Sequence, residues 1–258
     1  MRRRTSPRGS AQGTGDAQRA TARQVASLLL DYPGEDLLAR LPLLRAAVAP
    51  LPADLAGPLG RALDHVETTP LAQQQAEYVA TFDLRRRCSL YLTYYTYGDT
   101  RKRGMALLQF KHLYGRAGLQ LGDAELPDHL AVVLEFAATG DARRGERLLT
   151  SHRTGVELIR LALEERDSPY VDVLRAVCAT LPALPAQDRE SVLALARQGP
   201  PTEDVGLDPY GAMPFAPPDV MPGPPAGPRT GQGATALPMP TLRRPSDVET
   251  ASRTGAPA

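Results

Sequence analysis

Charged, aromatic and imidazole side chains gather in the middle of the chain, and their types suit binding better than covalent chemistry. Residues 85–116 contain eight Lys or Arg and one acid. Glu125, Pro127, Asp128 and His129 then follow, where the pattern predicts that Pro127 begins a helix. The free backbone N–H groups and the dipole at a helix start favour acceptors and negative charge. A basic, tyrosine-rich region beside an acidic helix start is typical of a surface that binds a peptide.

The residues that could carry catalysis or hold a metal lack the necessary spacing. The histidines form no HxxxH or HExxH pair, and Cys88 and Cys178 have no Cys or His partner at ligand spacing. The sequence contains no GxxxxGK[ST] motif and no GxGxxG motif after a strand. A nucleophilic Ser or Cys stays open, but GxSxG is absent, and Cys88 lies in an Arg and Tyr segment that is more typical of packing. We expect no metal, no cofactor and no enzymatic activity.

Two basic clusters with tyrosines between them allow two functional interpretations besides a solvated helix face. Arg and Tyr are frequent anchors of protein interfaces, which favours peptide binding. Aromatic rings between arginines also stack on bases, so a nucleic-acid-binding helical regulatory protein is the alternative. The clusters are Arg85–Arg87 and Arg101–Arg103, and the tyrosines are Tyr91, Tyr94, Tyr95 and Tyr97.

His129 also has two interpretations. As part of a helix cap, Asp128 or Glu125 would accept backbone N–H bonds, and His129 would form hydrogen bonds nearby. As a ligand contact, His129 would face a groove between helices that receives an amphipathic helix from a partner. The two interpretations are compatible if the cap fixes the wall of that groove.

Composition divides the chain into three parts. Residues 1–19 are polar and predict a disordered extension, and residues 20–198 have helical periodicity and predict one all-α domain. Residues 199–258 contain 14 of the 25 prolines and predict a disordered Pro/Gly-rich tail, because such a segment buries little apolar surface. The net charge of +1 gives no overall attraction to nucleic acid or membrane. With no run near the ~18 apolar residues of a membrane span, we expect a soluble, cytoplasmic protein.

Local signals predict individual helix boundaries. They are a capping box at Thr21, a break or kink at Pro42, a helix over 88–97, a cap at Thr100 with a stop at Gly118, a start at Pro127, a cap at Asp141 and a last helix over 187–197.

Several short motifs resemble the NarJ-type nitrate reductase assembly chaperones, within the wider group of TorD/DmsD-like redox-enzyme maturation proteins. The resemblance covers about residues 24–180 and is most specific where Glu-Leu-Pro-Asp-His-Leu follows an Arg-x-Arg-Gly helix. The motifs are Leu29–Pro33, Phe82-Asp83, the Arg87 region, Ser89-Leu90, Gly98, Arg101–Gly104, Gly118–Leu121, Glu125–Leu130, Leu134-Glu135 and Ser168-x-Tyr170.

The resemblance implies an all-helical chaperone without catalytic activity. Such proteins transiently bind the N-terminal segment of the catalytic α subunit of respiratory nitrate reductase, assist insertion of molybdenum cofactor and delay docking on the membrane subunit. We also expect no nucleic-acid partner, no stable membrane association, and a monomer or weak homodimer. The resemblance implies that Glu125, Pro127, Asp128 and His129 border the client-peptide groove, and that Arg101 and Arg103 match the basic helix start of the family. We add Arg87, Tyr91, Tyr94 and Tyr95 of the basic, tyrosine-rich region to the predicted client-peptide site.

Overall fold

Apolar residues recur at helical spacing along most of the chain, and the structure is accordingly built almost entirely from helices, which confirms the all-α prediction. A computed structural model describes residues 8–98, 101–122, 125–185, 190, 192–196 and 242–243. The α-helices in these ranges are α1 (Arg8–Leu29), α2 (Glu35–Val48), α3 (Ala53–Thr68), α4 (Leu71–Tyr78), α5 (Tyr94–Tyr97), α6 (Arg101–Arg116), α7 (Leu130–Glu135), α8 (Ala142–Ser151), α9 (Arg153–Glu164) and α10 (Val171–Ala179).

The described ranges also contain three tighter or wider helical turns and one small sheet. The π-helical turn Val79–Asp83 continues α4, and the π-helical turn Phe136–Gly140 continues α7. A 3-10 turn spans Arg86–Cys88. Strand β1 (Gln120–Leu121) pairs antiparallel with β2 (Leu242–Arg243). The tail therefore contributes one described segment to the domain, and the rest of it lies outside the described residues.

Helix α7 forms the centre of the core, since all of its residues from Leu130 to Leu134 are buried. Helix α1 packs against α7 and also contacts α2, α3 and α10. The Ser27 hydroxyl of α1 donates a hydrogen bond of 2.8 Å to the Ala131 carbonyl of α7. A buried polar group with a partner costs far less than an unpaired one, so this bond fixes how the two helices pack. Among the described helices, none has the length and apolarity to cross a bilayer.

Two of the predicted helix boundaries are wrong near the amino terminus. Helix α1 begins at Arg8 and not at Thr21. The Thr21 hydroxyl donates to the Ala17 carbonyl at 3.0 Å, so it bonds to the preceding helical turn and does not cap. Helix α2 continues through Pro42 without interruption, although proline removes one backbone donor. Tertiary packing of the apolar face of α2 outweighs that loss.

The predicted helix over 88–97 is only partly present. Cys88 ends the 3-10 turn, Tyr91 pairs with His129 in an isolated antiparallel bridge, and only Tyr94–Tyr97 is α-helical. The Tyr and Thr content of this segment has strand propensity, and the bridge is where that propensity is realised. Because the pairing partner lies far along the sequence, the local pattern did not predict it.

The later boundaries have mixed outcomes. Helix α7 begins at Leu130, after a turn that contains Pro127. The first described residue of α6 is Arg101, and the predicted cap at Thr100 lies outside the described residues. The Asp141 cap is confirmed, since its carboxylate accepts from the Arg144 N–H at 2.9 Å. The stop at Gly118 is also confirmed, because its φ of 71° is a conformation that favours glycine. Of the predicted helix over 187–197, residues 190 and 192–196 are helical and the others lie outside the described residues.

Candidate functional site

The segment around Tyr91 and the segment around His129 lie against each other although they are far apart in sequence. The two residues form an antiparallel bridge, and the Leu92 N–H donates to the Asp128 carbonyl at 3.1 Å. On the other side, the Tyr114 hydroxyl of α6 donates to the Pro127 carbonyl at 2.6 Å. The loop before α7 is therefore held by backbone and side-chain bonds from two directions.

Asp128 is the centre of a buried polar network. Its side chain is fully buried, and Oδ2 accepts from the Thr93 N–H at 3.1 Å and from the Thr93 hydroxyl at 2.5 Å. The Arg103 guanidinium lies 3.9 Å from the same oxygen, and its Nε donates to Thr93 Oγ1 at 3.2 Å. Carboxylate, hydroxyl and guanidinium therefore fix the start of α6 to the loop before α7.

The hypothesis of a side-chain cap on α7 is wrong. No side-chain cap bond is present at the start of this helix, because the Asp128 carboxylate accepts from Thr93. Glu125 Oε1 instead accepts from the neighbouring Leu126 N–H at 2.6 Å. His129 directly precedes α7 and is 4% exposed, with its ring edge-on to Tyr91 at 5.3 Å between centroids. Burial lowers the pKa of His129 to about 4 against a partial opposing effect of Asp128, so the imidazole is neutral near pH 7.

An open cleft of about 310 Å³ lies over this network. It is lined by Phe82, Asp83, Arg86, Ser89, Tyr91, Tyr94 and Arg103. The Arg103 guanidinium lies 5.5 Å from the centre of the Tyr91 ring, at cation–π distance. Arg103 thus connects the buried network below to the wall of the cleft above.

The cleft carries both signs of charge. Partial desolvation in the open cleft raises the pKa of the Asp83 carboxyl, and the negative charge of Glu125 raises it further. Burial is also the main reason that the pKa of the Tyr91 phenol is raised, followed by the charge of Glu125 and a hydrogen bond to it. Arg86 and Arg103 supply the positive charges. Aromatic rings with separated acidic and basic groups suit a polypeptide segment that has an apolar anchor and charged side chains.

The structure brings only some of the predicted site residues together. Tyr91, Tyr94 and Arg103 line the cleft. Glu125 is not among the lining residues, but it interacts with the hydroxyl of Tyr91. Below the cleft, the loop residues are buried and have structural partners. These residues are Pro127, Asp128 and His129.

The remaining predicted residues lie elsewhere. Arg87 and Tyr95 line a different, narrow pocket together with Leu158 of α9. Arg101 is exposed on α6. Four cleft residues were not among the predicted site residues, although three of them occur in the family motifs and could have been found there. They are Phe82, Asp83, Arg86 and Ser89.

The interpretation as a base-stacking strip is not favoured by the tyrosine positions. Tyr94 is 7% exposed. The Tyr95 hydroxyl donates to the carbonyls of Arg87 and Ser89 at 3.1 and 2.9 Å, so its ring is held in packing. Stacking on bases requires exposed ring faces. Within the described part of the chain, these two rings do not provide them.

The described residues also give no support to a thiol or metal site. Burial raises the pKa of the Cys88 thiol, which disfavours the reactive thiolate. In the described ranges no group of three or more His, Cys, Asp or Glu side chains could hold a metal ion.

Comparison with known proteins finds one matching family model and several similar proteins. Residues 48–176 match the family model for the nitrate reductase delta subunit. The chain is 42% identical over 157 residues to the nitrate reductase-like protein NarX of Mycobacterium tuberculosis, covering 61% of this chain and 24% of that protein. It is 32% identical over 168 residues to NarJ of Bacillus subtilis, which carries the name nitrate reductase molybdenum cofactor assembly chaperone, covering 62% of this chain and 90% of that protein.

The extent of these similarities differs between relatives. The chain spans about a quarter of the length of the first curated relatives that it matches, since it covers 24% of them. Among solved structures, it is similar to an Archaeoglobus fulgidus protein described as a redox enzyme maturation protein. That similarity has a TM-score of 0.47 and 25% identity, and it covers 62% of this chain and 91% of that one.

Proposed function

Since the chain belongs to the nitrate reductase delta subunit family, we propose that it is an assembly chaperone for a respiratory nitrate reductase. The observation that carries the proposal is the combination of this family match with an open, aromatic cleft of mixed charge. The similarity to NarJ over most of its length supports the same role. In this proposal the protein binds a polypeptide and leaves its covalent bonds unchanged.

The proposed ligand is the N-terminal segment of the apo catalytic α subunit, which binds in the cleft. The ring of Tyr91 would contact an apolar side chain of that segment, and the largely buried rings of Phe82 and Tyr94 would support this wall of the cleft. Asp83 and Arg86, which both line the cleft, would favour a segment that carries charges of both signs. A short segment held by a few anchors would have a Kd of roughly micromolar to nanomolar, which permits release.

Release is part of the proposed role. The chaperone would act in the cytoplasm as a monomer or weak homodimer, would hold the α subunit while molybdenum cofactor is inserted, and would dissociate before the enzyme docks on its membrane subunit. The cofactor would belong to the client and not to the chaperone.

Calorimetry with a synthetic peptide of the α-subunit N-terminus tests the cleft directly. Arg86→Ala should weaken binding by about tenfold, because a charged group at the cleft wall is lost. Arg85→Ala is the matched control, since Arg85 is also exposed and its neighbour in sequence but does not line the cleft. Far-UV circular dichroism would confirm that both variants are folded. The proposal would be refuted if the folded protein gave no heat with the peptide, or if the two substitutions weakened binding equally.

A further inference from the structure

Helix α6 has an exposed outer face that is separate from the cleft. Its inner face buries Ala106, Phe110 and Tyr114. Met105 and Leu108 lie on the opposite face and are 64% and 53% exposed. Large apolar side chains that stay this exposed on neighbouring turns are a feature of interaction surfaces.

The spacing of the outer residues matches that of a helix–helix seam. Arg101, Met105, Leu108 and His112 are separated by four, three and four residues, so they form one row along the helix. We call residues 101, 105, 108 and 112 the outer row. A row with this spacing is the surface through which one helix packs against another. The two apolar members are at the centre of the row, where a partner helix would cover them.

The flanks of the outer row are positive. Helix α6 contains five Lys or Arg residues and no acid. One of them, Arg103, interacts with Thr93 on the inner side. Lys102, Lys111 and Arg116 are exposed on either side of the row. In paired helices, charges at such flanking positions determine which partner is accepted.

The charge pattern distinguishes among the possible partners. A second copy of this chain would place cations against cations, which is unfavourable. A nucleic acid would bring charged phosphates against the apolar side chains of Met105 and Leu108, which is also unfavourable. A membrane-binding helix has a broad apolar face, whereas here the exposed apolar surface is confined to two side chains. An acidic amphipathic helix would cover the apolar pair and neutralise the flanking cations.

We propose that the outer row of α6 is a second docking surface, and that it binds an acidic amphipathic helix of a partner protein. The surface is distinct from the peptide cleft, because Arg103 reaches the cleft from the inner side of the same helix. The protein would then be able to contact two segments at once, and two weak contacts on one body give a higher combined affinity than either alone.

Fluorescence anisotropy with the full-length chain tests this surface. The probe is a labelled synthetic helix of about 20 residues that carries Leu at alternating four- and three-residue spacing and Glu at the flanking positions. The comparison probe has Lys in place of every Glu. We expect the acidic helix to bind at least about tenfold more tightly than the lysine helix, and its binding to weaken as salt is raised.

Three variants locate the binding. The double variant Met105→Ala, Leu108→Ala should weaken binding of the acidic helix by about tenfold, because it removes the central apolar contacts and keeps good helix formers. Leu43→Ala on α2 is the control, since Leu43 is 69% exposed and lies on another helix. Arg86→Ala should leave this binding unchanged, which separates the surface from the cleft.

Several results would overturn the proposal. They are no binding of the acidic helix, equal binding of both helices, or no effect of the double variant. Phosphatidylglycerol vesicles or a DNA duplex that bound more tightly than the acidic helix, with binding lost in the double variant, would also overturn it and would assign the surface to a membrane or to nucleic acid.

Discussion

Replacement of Asp128 by Ala should destabilise the fold strongly, because the carboxylate is a buried structural group. The substitution removes the acceptor for the Thr93 N–H and hydroxyl and leaves the Arg103 guanidinium without the carboxylate 3.9 Å away. Loss of one partner of a buried ion pair costs about 3–5 kcal/mol. The Arg103 side chain is 17% exposed and keeps some solvation, so we expect about 3 kcal/mol.

Asp128→Asn separates the charge from the hydrogen bonds. The amide oxygen can still accept from Thr93, and only the negative charge opposite Arg103 is lost. A hydrogen bond to a charged group contributes about 1 kcal/mol more than a neutral one, so Asn should cost about 1–2 kcal/mol. Stability should therefore decrease from Asp to Asn to Ala.

Urea unfolding followed by far-UV circular dichroism measures this order. With a slope of about 2 kcal/mol/M, a loss of 3 kcal/mol moves the midpoint by roughly 1.5 M. Asp83→Ala is the control, because Asp83 is an exposed carboxylate in the cleft and should change stability by less than about 0.5 kcal/mol. The reasoning is refuted if Asp128→Ala and Asp83→Ala unfold at the same urea concentration.

Two further predictions concern stability. Gly145→Ala should lower the free energy of unfolding by about 3 kcal/mol, because the added Cβ would clash with the backbone Cα of Ala137. Gly60→Ala in α3 is the control, since its Cβ would meet open space and the substitution should stabilise by about 0.5–1 kcal/mol. Equal urea midpoints for the two variants would contradict this prediction. His129 has a folded-state pKa of about 4 against an ordinary value of 6.5, so the unfolded chain binds the proton more readily and stability should fall as pH decreases from 6.5 to 4. That pKa difference corresponds to about 3 kcal/mol of unfolding free energy. In His129→Gln the unfolding free energy should therefore change less between pH 6.5 and 4. The same pH dependence in the variant and the original protein would contradict the assignment.

Local sequence signals predicted much of the helical architecture. The Asp141 cap and the Gly118 stop each depend on one residue and its nearest neighbours, and both are present in the structure. The start of α1 was wrong because the Thr21 hydroxyl has two possible local bonds, one as a cap and one to the preceding turn. A local pattern cannot decide between these bonds.

The cleft was less accessible to sequence reasoning because its contacts are long-range. The bond from Thr93 to Asp128 joins residues that are 35 positions apart, and no periodicity encodes that pairing. The motif Glu125–Leu130 lies in this region of the chain and was the basis of the predicted site. Asp128 and His129 of this motif, however, are buried, and the lining of the cleft also includes residues of the preceding π-helical and 3-10 turns.

The antiparallel bridge beneath the cleft determines how a ligand would be received. Leu130, the first residue of α7, donates its N–H to the Leu90 carbonyl at 2.8 Å, so the wall that carries Tyr91 is connected directly to the most buried helix. Such a wall is ordered before any ligand arrives. The conformational entropy lost on association would therefore fall almost wholly on the incoming segment, and variants that rigidify that segment should bind faster and more tightly than variants that rigidify the receptor.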